Sequence, residues 1–185
     1  MKILVIGSNR VIEKKGFAQH TPEQDFGKDI ETVYMDLFGA DVLRDINDLP
    51  YPFKKNEFDG IFLSHVLEHA DPQKILKILN EIHRITKPNK KIVIYVPHFS
   101  SSTALPHLTH YKSFGIHSFD TVCDNIPIWE KYIRGKFNLE NKKLVFPKRF
   151  FLLNHLPVGA YTYWENWFKN AFSAHEIKFV LISKK

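Results

Sequence analysis

Apolar residues alternate with polar ones in two different periods along this chain, and the two periods predict its elements. "KILVIG" (2–7) is a short apolar run ending in glycine, as expected of a buried parallel strand. Residues 8–30 are polar and lack a long helical period, although "TPEQ" predicts one short helix with Thr21 as N-cap, Pro22 at its first position and Gln24 closing a capping box. "ETVYMDL" (31–37) and the shorter "ADVLRDI" (40–46) read as strands, and Pro50 and Pro52 mark 47–59 as a loop. "FDGIFLSHV" (58–66) is a fourth strand. Asp71 and Pro72 then predict a helix start, and Ile75, Leu76, Ile78, Leu79, Ile82 and Ile85 follow the spacing of an amphipathic helix. "KPNK" (87–90) stops it, and "KIVIYVP" (91–97) is the fifth strand. Strand, helix and strand with tight punctuation form a βαβ unit, so the sheet is expected to be mainly parallel with a right-handed crossover.

After Pro97 the texture changes. Residues 98–120 hold four of the ten histidines, His98, His107, His110 and His117, in a Ser/Thr-rich loop running into a helix near Phe119. "KKLVF" (142–146) and "EIKFVLIS" (176–183) read as closing strands, with an aromatic helix "YTYWENWFKNAF" (161–172) between them. No repeat or linker divides the chain. One domain over 1–185 is expected, with residues 1–97 as a ligand-binding half and 98–185 as a second, substrate-side half.

Composition changes the picture in three places. Cys123 is the only cysteine, which excludes an intrachain disulfide and a cysteine-based zinc cluster and fits a reducing cytoplasm. No apolar run approaches the ~20 residues of a membrane span, and "MKILVIG" lacks the architecture of a cleaved signal. The net charge of +6 is uneven: residues 1–50 carry six basic and nine acidic side chains, whereas 98–185 carry twelve and six. A basic second half suits an anionic acceptor, a membrane surface or nucleic acid, or simply a solvated face.

"HVLEH" (65–69) has the H-x-x-E-H form of a zinc motif, which requires both histidines on one helix face. Here an apolar strand runs directly into His65 and the helix start lies beyond His69. The pair is therefore expected to be split between a strand end and a turn, and no metal site is assigned.

In an open α/β sheet, ligands bind outside the carboxyl ends of the strands. Those ends read Gly7-Ser8-Asn9, Asp36, Asp45, Ser64-His65 and Pro97-His98. Carboxylates at two successive ends suit the hydroxyls of a ribose and a purine amino group, and Gly7 permits close backbone approach.

Residues 40–100 closely resemble the middle of class I S-adenosylmethionine-dependent methyltransferases, in particular the broad type 11 methyltransferase-domain group, and residues 1–39 resemble it more loosely. The resemblance rests on Asp45, Leu49-Pro50, Phe58-Asp59, Leu67-Glu68-His69, Arg84, Lys87-Pro88 and Val96-Pro97, and the ending "HEIKFVLISKK" is similar to that of short members. It implies a Rossmann-like methyltransferase fold, mainly parallel with an antiparallel closing strand, and S-adenosylmethionine as cofactor. Gly7, Ser8 and Asn9 would be the cofactor loop near the methionine part, Asp36 would hold the ribose, and Asp45 with Ile46 would contact adenine. Ser64 and His65 would lie beside the methionine moiety and the substrate. The family's glycine-rich loop is reduced to "VIGSNR", the helix after it is shortened or missing, and "KPN" stands for the usual K-P-G-G.

Methyl transfer to an alcohol benefits from a base, and histidine suits neutral pH. His110, in "LTHYKSF", is the first candidate and His98 the second, against the alternative that both are structural. No N-P-P-Y or D-P-P-Y motif of amino-methylating nucleic-acid enzymes occurs. The expected reaction is O-methylation of a small-molecule, sugar (glycan) or lipid-linked acceptor. The alternatives are RNA methylation and a non-catalytic interaction subunit, and self-association stays open.

Overall fold

The computed structural model describes residues 1–7, 20–102, 104, 108–123 and 136–185. Its strands are β1 (Lys2–Ile6), β2 (Glu31–Asp36), β3 (Val42–Leu43), β4 (Phe58–Ser64), β5 (Thr86–Pro97), β6 (Phe137–Val145) and β7 (Glu176–Ser183). They form one seven-stranded sheet in the order β3-β2-β1-β4-β5-β7-β6. The first five are mutually parallel, and β7 runs antiparallel to both β5 and β6. This is the expected mainly parallel architecture with an antiparallel closing strand.

The period of two in each strand divides the apolar residues between the two sheet faces. Leu4, Ile6, Ile61, Leu63, Ile92 and Ile94 join the larger core cluster, while Ile3, Val5, Phe62, Val93 and Tyr95 join a smaller one on the other face. Helix α2 (Ile75–Ile85) covers the larger face with buried Ile78, Leu79, Ile82 and Ile85. Of the β1–β2 crossover, the described part holds only the five-residue α1 (Pro22–Phe26), with Thr21 as its N-cap and the Gln24 side chain reaching back to the Thr21 N–H. The expected shortening of the preceding helix falls on residues 8–19, outside the described residues.

Several boundaries differ from the sequence reading. The strand expected over 40–46 is only Val42–Leu43, because the Asp45 carboxylate takes the Asn47 backbone N–H at 2.7 Å and turns the chain. β4 ends at Ser64, since His65 adopts a left-handed φ of 50°. The helix expected from Asp71 starts at Ile75: Asp71 accepts the Gln73 N–H at 2.9 Å and so closes a turn of its own. α2 does stop before "KPNK", but β5 begins at once with Thr86, and residues 87–90 bulge where the register jumps from Phe58↔Thr86 to Gly60↔Lys91. Past β5 there follow α3 (Asp120–Cys123), a 3-10 stretch Lys148–His155 and α4 (Val158–Trp167).

The loop between β3 and β4 is stapled to α2. Glu81, largely buried, accepts the Tyr51 N–H at 2.7 Å, and Arg84 bonds both Glu81 oxygens and the carbonyls of Tyr51 and Phe53. Arg84→Ala removes these charge-assisted bonds and leaves the Glu81 charge without its cation. It is expected to cost ~2 kcal/mol of unfolding free energy in urea titration. A midpoint equal to wild type would show that the staple contributes nothing.

Candidate functional site

The carboxyl ends of β1, β2, β3 and β4 open onto a crevice of about 490 Å³, within the range of small-molecule sites. Ile6, Met35, Ile46 and Val66 supply apolar surface, and Asp36, Asp45, Arg44, Asn47 and His65 supply polar groups. Of the residues expected to hold the cofactor, Gly7, Asp36, Asp45, Ile46 and His65 line this crevice. Ser64 is buried at the end of β4, behind the wall. Ser8 and Asn9, like His107, lie outside the described residues.

Asp36 ends β2 and accepts the Leu37 N–H at 2.6 Å; burial pushes its carboxyl pKa above the ordinary value, against that hydrogen bond. Asp45 takes both the backbone and the side-chain donors of Asn47 on Oδ1. Each carboxylate retains lone pairs for a ligand. Gly7 has φ +82°, and a Cβ there would stand 2.2 Å from the Cβ of Val66. Its glycine is therefore required by the turn and by Val66 packing, before any ligand is considered.

"HVLEH" lies across the crevice edge. His65 follows the strand, and Leu67–His69 form one 3-10 turn in which Leu67 and Glu68 are buried. The two histidines diverge as expected. His65 Nε2 donates to Glu176 Oε2 at 2.9 Å, whereas His69 Nδ1 donates to the Thr109 carbonyl at 3.0 Å. Glu176, 2 % exposed at the start of β7, also receives the His20 imidazole, which stacks on Tyr95. Burial alone would lower the His65 pKa, but its bonds to Glu176 and Glu68 outweigh this and raise it to about 9. Burial would raise Glu176, and the two histidines instead hold it down at about 2.

The histidine loop divides. His98, the second base candidate, is fully buried; its Nδ1 accepts the Ser100 N–H at 3.1 Å and its Nε2 donates to Glu165 at 2.9 Å. Glu165 also takes the Ile116 N–H. With both nitrogens engaged away from the crevice, His98 holds the loop to α4. His110 donates Nδ1–H to the Ala104 carbonyl at 3.0 Å and stands edge-on to His69, with ring centroids 4.6 Å apart. His117 is exposed against Asp120 and Thr162. Thr109 and Tyr111 bring this segment to the crevice wall.

Residues 19–94 match the family described as "Methyltransferase domain". That match covers 76 of the 185 residues. Solved methyltransferases share the fold. Over 98% of its length the chain superposes on 85% of a SAM-dependent methyltransferase from Archaeoglobus fulgidus, with a TM-score of 0.61 and 17% identity. It also superposes on 71% of the Burkholderia thailandensis 1,6-didemethyltoxoflavin-N1-methyltransferase, solved with S-adenosylhomocysteine, with a TM-score of 0.54 and 15% identity over the whole chain. An uncharacterised protein of Methanocaldococcus jannaschii is 37% identical over 78 residues, which are 37% of this chain and 33% of that protein. The chain thus matches about a third of the length of that relative.

Sequence reasoning missed Glu176, Arg44 and Asn47, and the exposed Leu37, Phe38 and Tyr111 at the crevice mouth. A signal existed for Glu176, an acidic residue at the head of an otherwise apolar strand. Phe38, two residues past a strand-end aspartate, was a second. Among the described residues no helix is long and apolar enough to cross a membrane.

The depressed pKa of Glu176 has a pH signature. Its folded value lies below the ordinary 4.5, so the stability it contributes is present above pH 4.5 and is lost as pH falls toward about 2. In thermal melts, the difference between wild type and Glu176→Gln is expected to be largest near pH 5 to 6 and to shrink steadily on acidification. A difference independent of pH over that range would refute the assignment.

Proposed function

We propose that this chain transfers the methyl group of S-adenosylmethionine to an oxygen of a small-molecule, sugar or lipid-linked acceptor. The observation that carries the reading is the pair Asp36 and Asp45, on successive strand ends of one crevice, in a chain whose residues 19–94 match a methyltransferase-domain family. The crevice chemistry fits the cofactor: Met35, Ile46 and Val66 offer apolar contact to a base, and the two carboxylates offer acceptors to ribose hydroxyls and an exocyclic amine. When bound, the cofactor supplies an electrophilic methyl on a sulfonium, whose sulfur keeps the C–S electron pair as the acceptor oxygen attacks.

The chain's own part is alignment, which supplies much of the rate in such displacements. Asp36 and Asp45 hold the nucleoside end, and Gly7 and His65 flank the methionine end. Residues 1–97 act as the cofactor half and 98–185 as the acceptor half, with Thr109, Tyr111 and His69 forming the acceptor-side wall. His110, edge-on behind His69, is the orienting group or base on that side. The exposed Leu37, Phe38 and Tyr111 at the mouth favour an acceptor with apolar or planar parts.

Calorimetric titration tests the reading. Wild type is expected to bind S-adenosylmethionine and S-adenosylhomocysteine. Asp36→Ala should weaken both by at least about tenfold, since a charged hydrogen bond contributes roughly 1.5–3 kcal/mol. Absence of binding at hundreds of micromolar would overturn the reading. Cofactor binding without turnover, across small hydroxylated acceptors and RNA alike, would instead support an interaction subunit.

A further inference from the structure

Glu68, His69 and His110 come together beside the crevice in a way that methyl transfer does not require. One carboxylate oxygen and one nitrogen from each ring lie within 4.8 Å of one another. Atoms bound to a common ion at about 2.1 Å stand at most about 4.2 Å apart, so small side-chain rotations close the cluster. A second observation is independent of that spacing. Glu68 is 1 % exposed, and its Oε2 has no hydrogen-bond partner among the described residues. A buried carboxylate oxygen left so is costly, and a cation is the natural partner for it.

The surroundings have the form of a metal site's outer shell. His69 and His110 each donate Nδ1–H to a backbone carbonyl, of Thr109 and of Ala104, both at 3.0 Å. A carbonyl only accepts, so the proton sits on Nδ1 and Nε2 becomes the ligating nitrogen of the neutral ring. His65 Nδ1 lies 3.5 Å from Glu68 Oε1, which orients the carboxylate and leaves Oε2 for the ion. The Tyr111 N–H donates to the Glu68 backbone carbonyl at 2.8 Å and ties the loop carrying His110 to the turn carrying Glu68 and His69.

We infer that Glu68, His69 and His110 form a binding site for a divalent transition-metal ion, with zinc the best match to two imidazoles and one carboxylate. The pair of histidines in "HVLEH" does not converge; its glutamate and second histidine do, with a third ligand 41 residues on in the loop. Three protein ligands leave a coordination position open, and His69 lies in the crevice wall. If the methyl-transfer reading holds, that position faces the acceptor, where the ion would lower the pKa of a bound hydroxyl and His110 would serve as ligand rather than base. The site itself does not rest on that reading.

The test is calorimetric titration of Zn²⁺ into chelator-stripped full-length protein without S-adenosylmethionine. One equivalent is expected to bind and to raise the thermal midpoint. E68Q and H110A should each weaken binding by more than about tenfold, while H117A, at the exposed histidine outside the cluster, binds as wild type does. Co²⁺ supplies a second readout, with visible absorption bands in wild type that are lost in H110A, which keeps the test open should E68Q fail to fold. Absence of stoichiometric binding, as when a single water satisfies Glu68, or binding that neither variant changes, overturns the site. Because no cofactor is present, failure of S-adenosylmethionine binding and failure of metal binding are separate results.

Discussion

The buried carboxylate of Glu176 is the constraint on which the crevice depends. At 2 % exposure a carboxylate persists only when paired, and its partners come from distant places in the chain: His65 at the end of β4 and His20 ahead of α1. Glu176 reaches them because β7 runs antiparallel next to β5, which puts its first residue level with the carboxyl ends of the parallel strands. The pairing helps hold His65 in its left-handed conformation, together with the His65 N–H bond to the Tyr95 carbonyl. From that bend the chain enters the 3-10 turn that places Val66 under Gly7 and His69 in the wall. A strand near the end of the sequence thereby sets the shape of one side of a crevice whose lining residues lie between Ile6 and Tyr111 in the chain.

The opposite side is held by shorter-range chemistry. Asp45 folds Asn47 back on itself, and the Asn47 side-chain oxygen accepts the Asp71 N–H. Glu81 and Arg84 fasten the following loop to α2. The residues that carry the family resemblance are therefore of two kinds. Asp45 faces the crevice, while Arg84 and Leu49 keep the loop between β3 and β4 against the core and α2.

Much of the fold was legible because burial on both faces writes itself into composition. "KILVI", "FDGIFLS" and "KIVIYVP" are short and mostly apolar on both alternating faces, as a covered parallel sheet requires. The i, i+3, i+4 spacing of α2 and the capping residues of α1 were equally direct. Boundaries were less so where side chains competed with backbone pairing: Asp45 cut β3 to two residues and Asp71 delayed α2 by a turn. The crevice carboxylates were legible because strand ends in a parallel sheet share one edge, so Asp36 and Asp45 could be placed there by counting. His98 shows the limit. Its position after β5 promised a site residue, yet Glu165 from α4 and the Ser100 backbone occupy both ring nitrogens inside the core.

By itself the sequence determined the parallel sheet, its carboxyl-end crevice and the two aspartates, since these follow from local periodicity and from the ordering rule of βαβ units. Only the tertiary structure decided which histidines face one another. Imidazole geometry depends on contacts made across more than forty residues: His65 with Glu176, His98 with Glu165, and His69 with His110 through the loop that Glu68 anchors. No local spacing encodes such pairings, because each is set by where the sheet order brings two separate segments together.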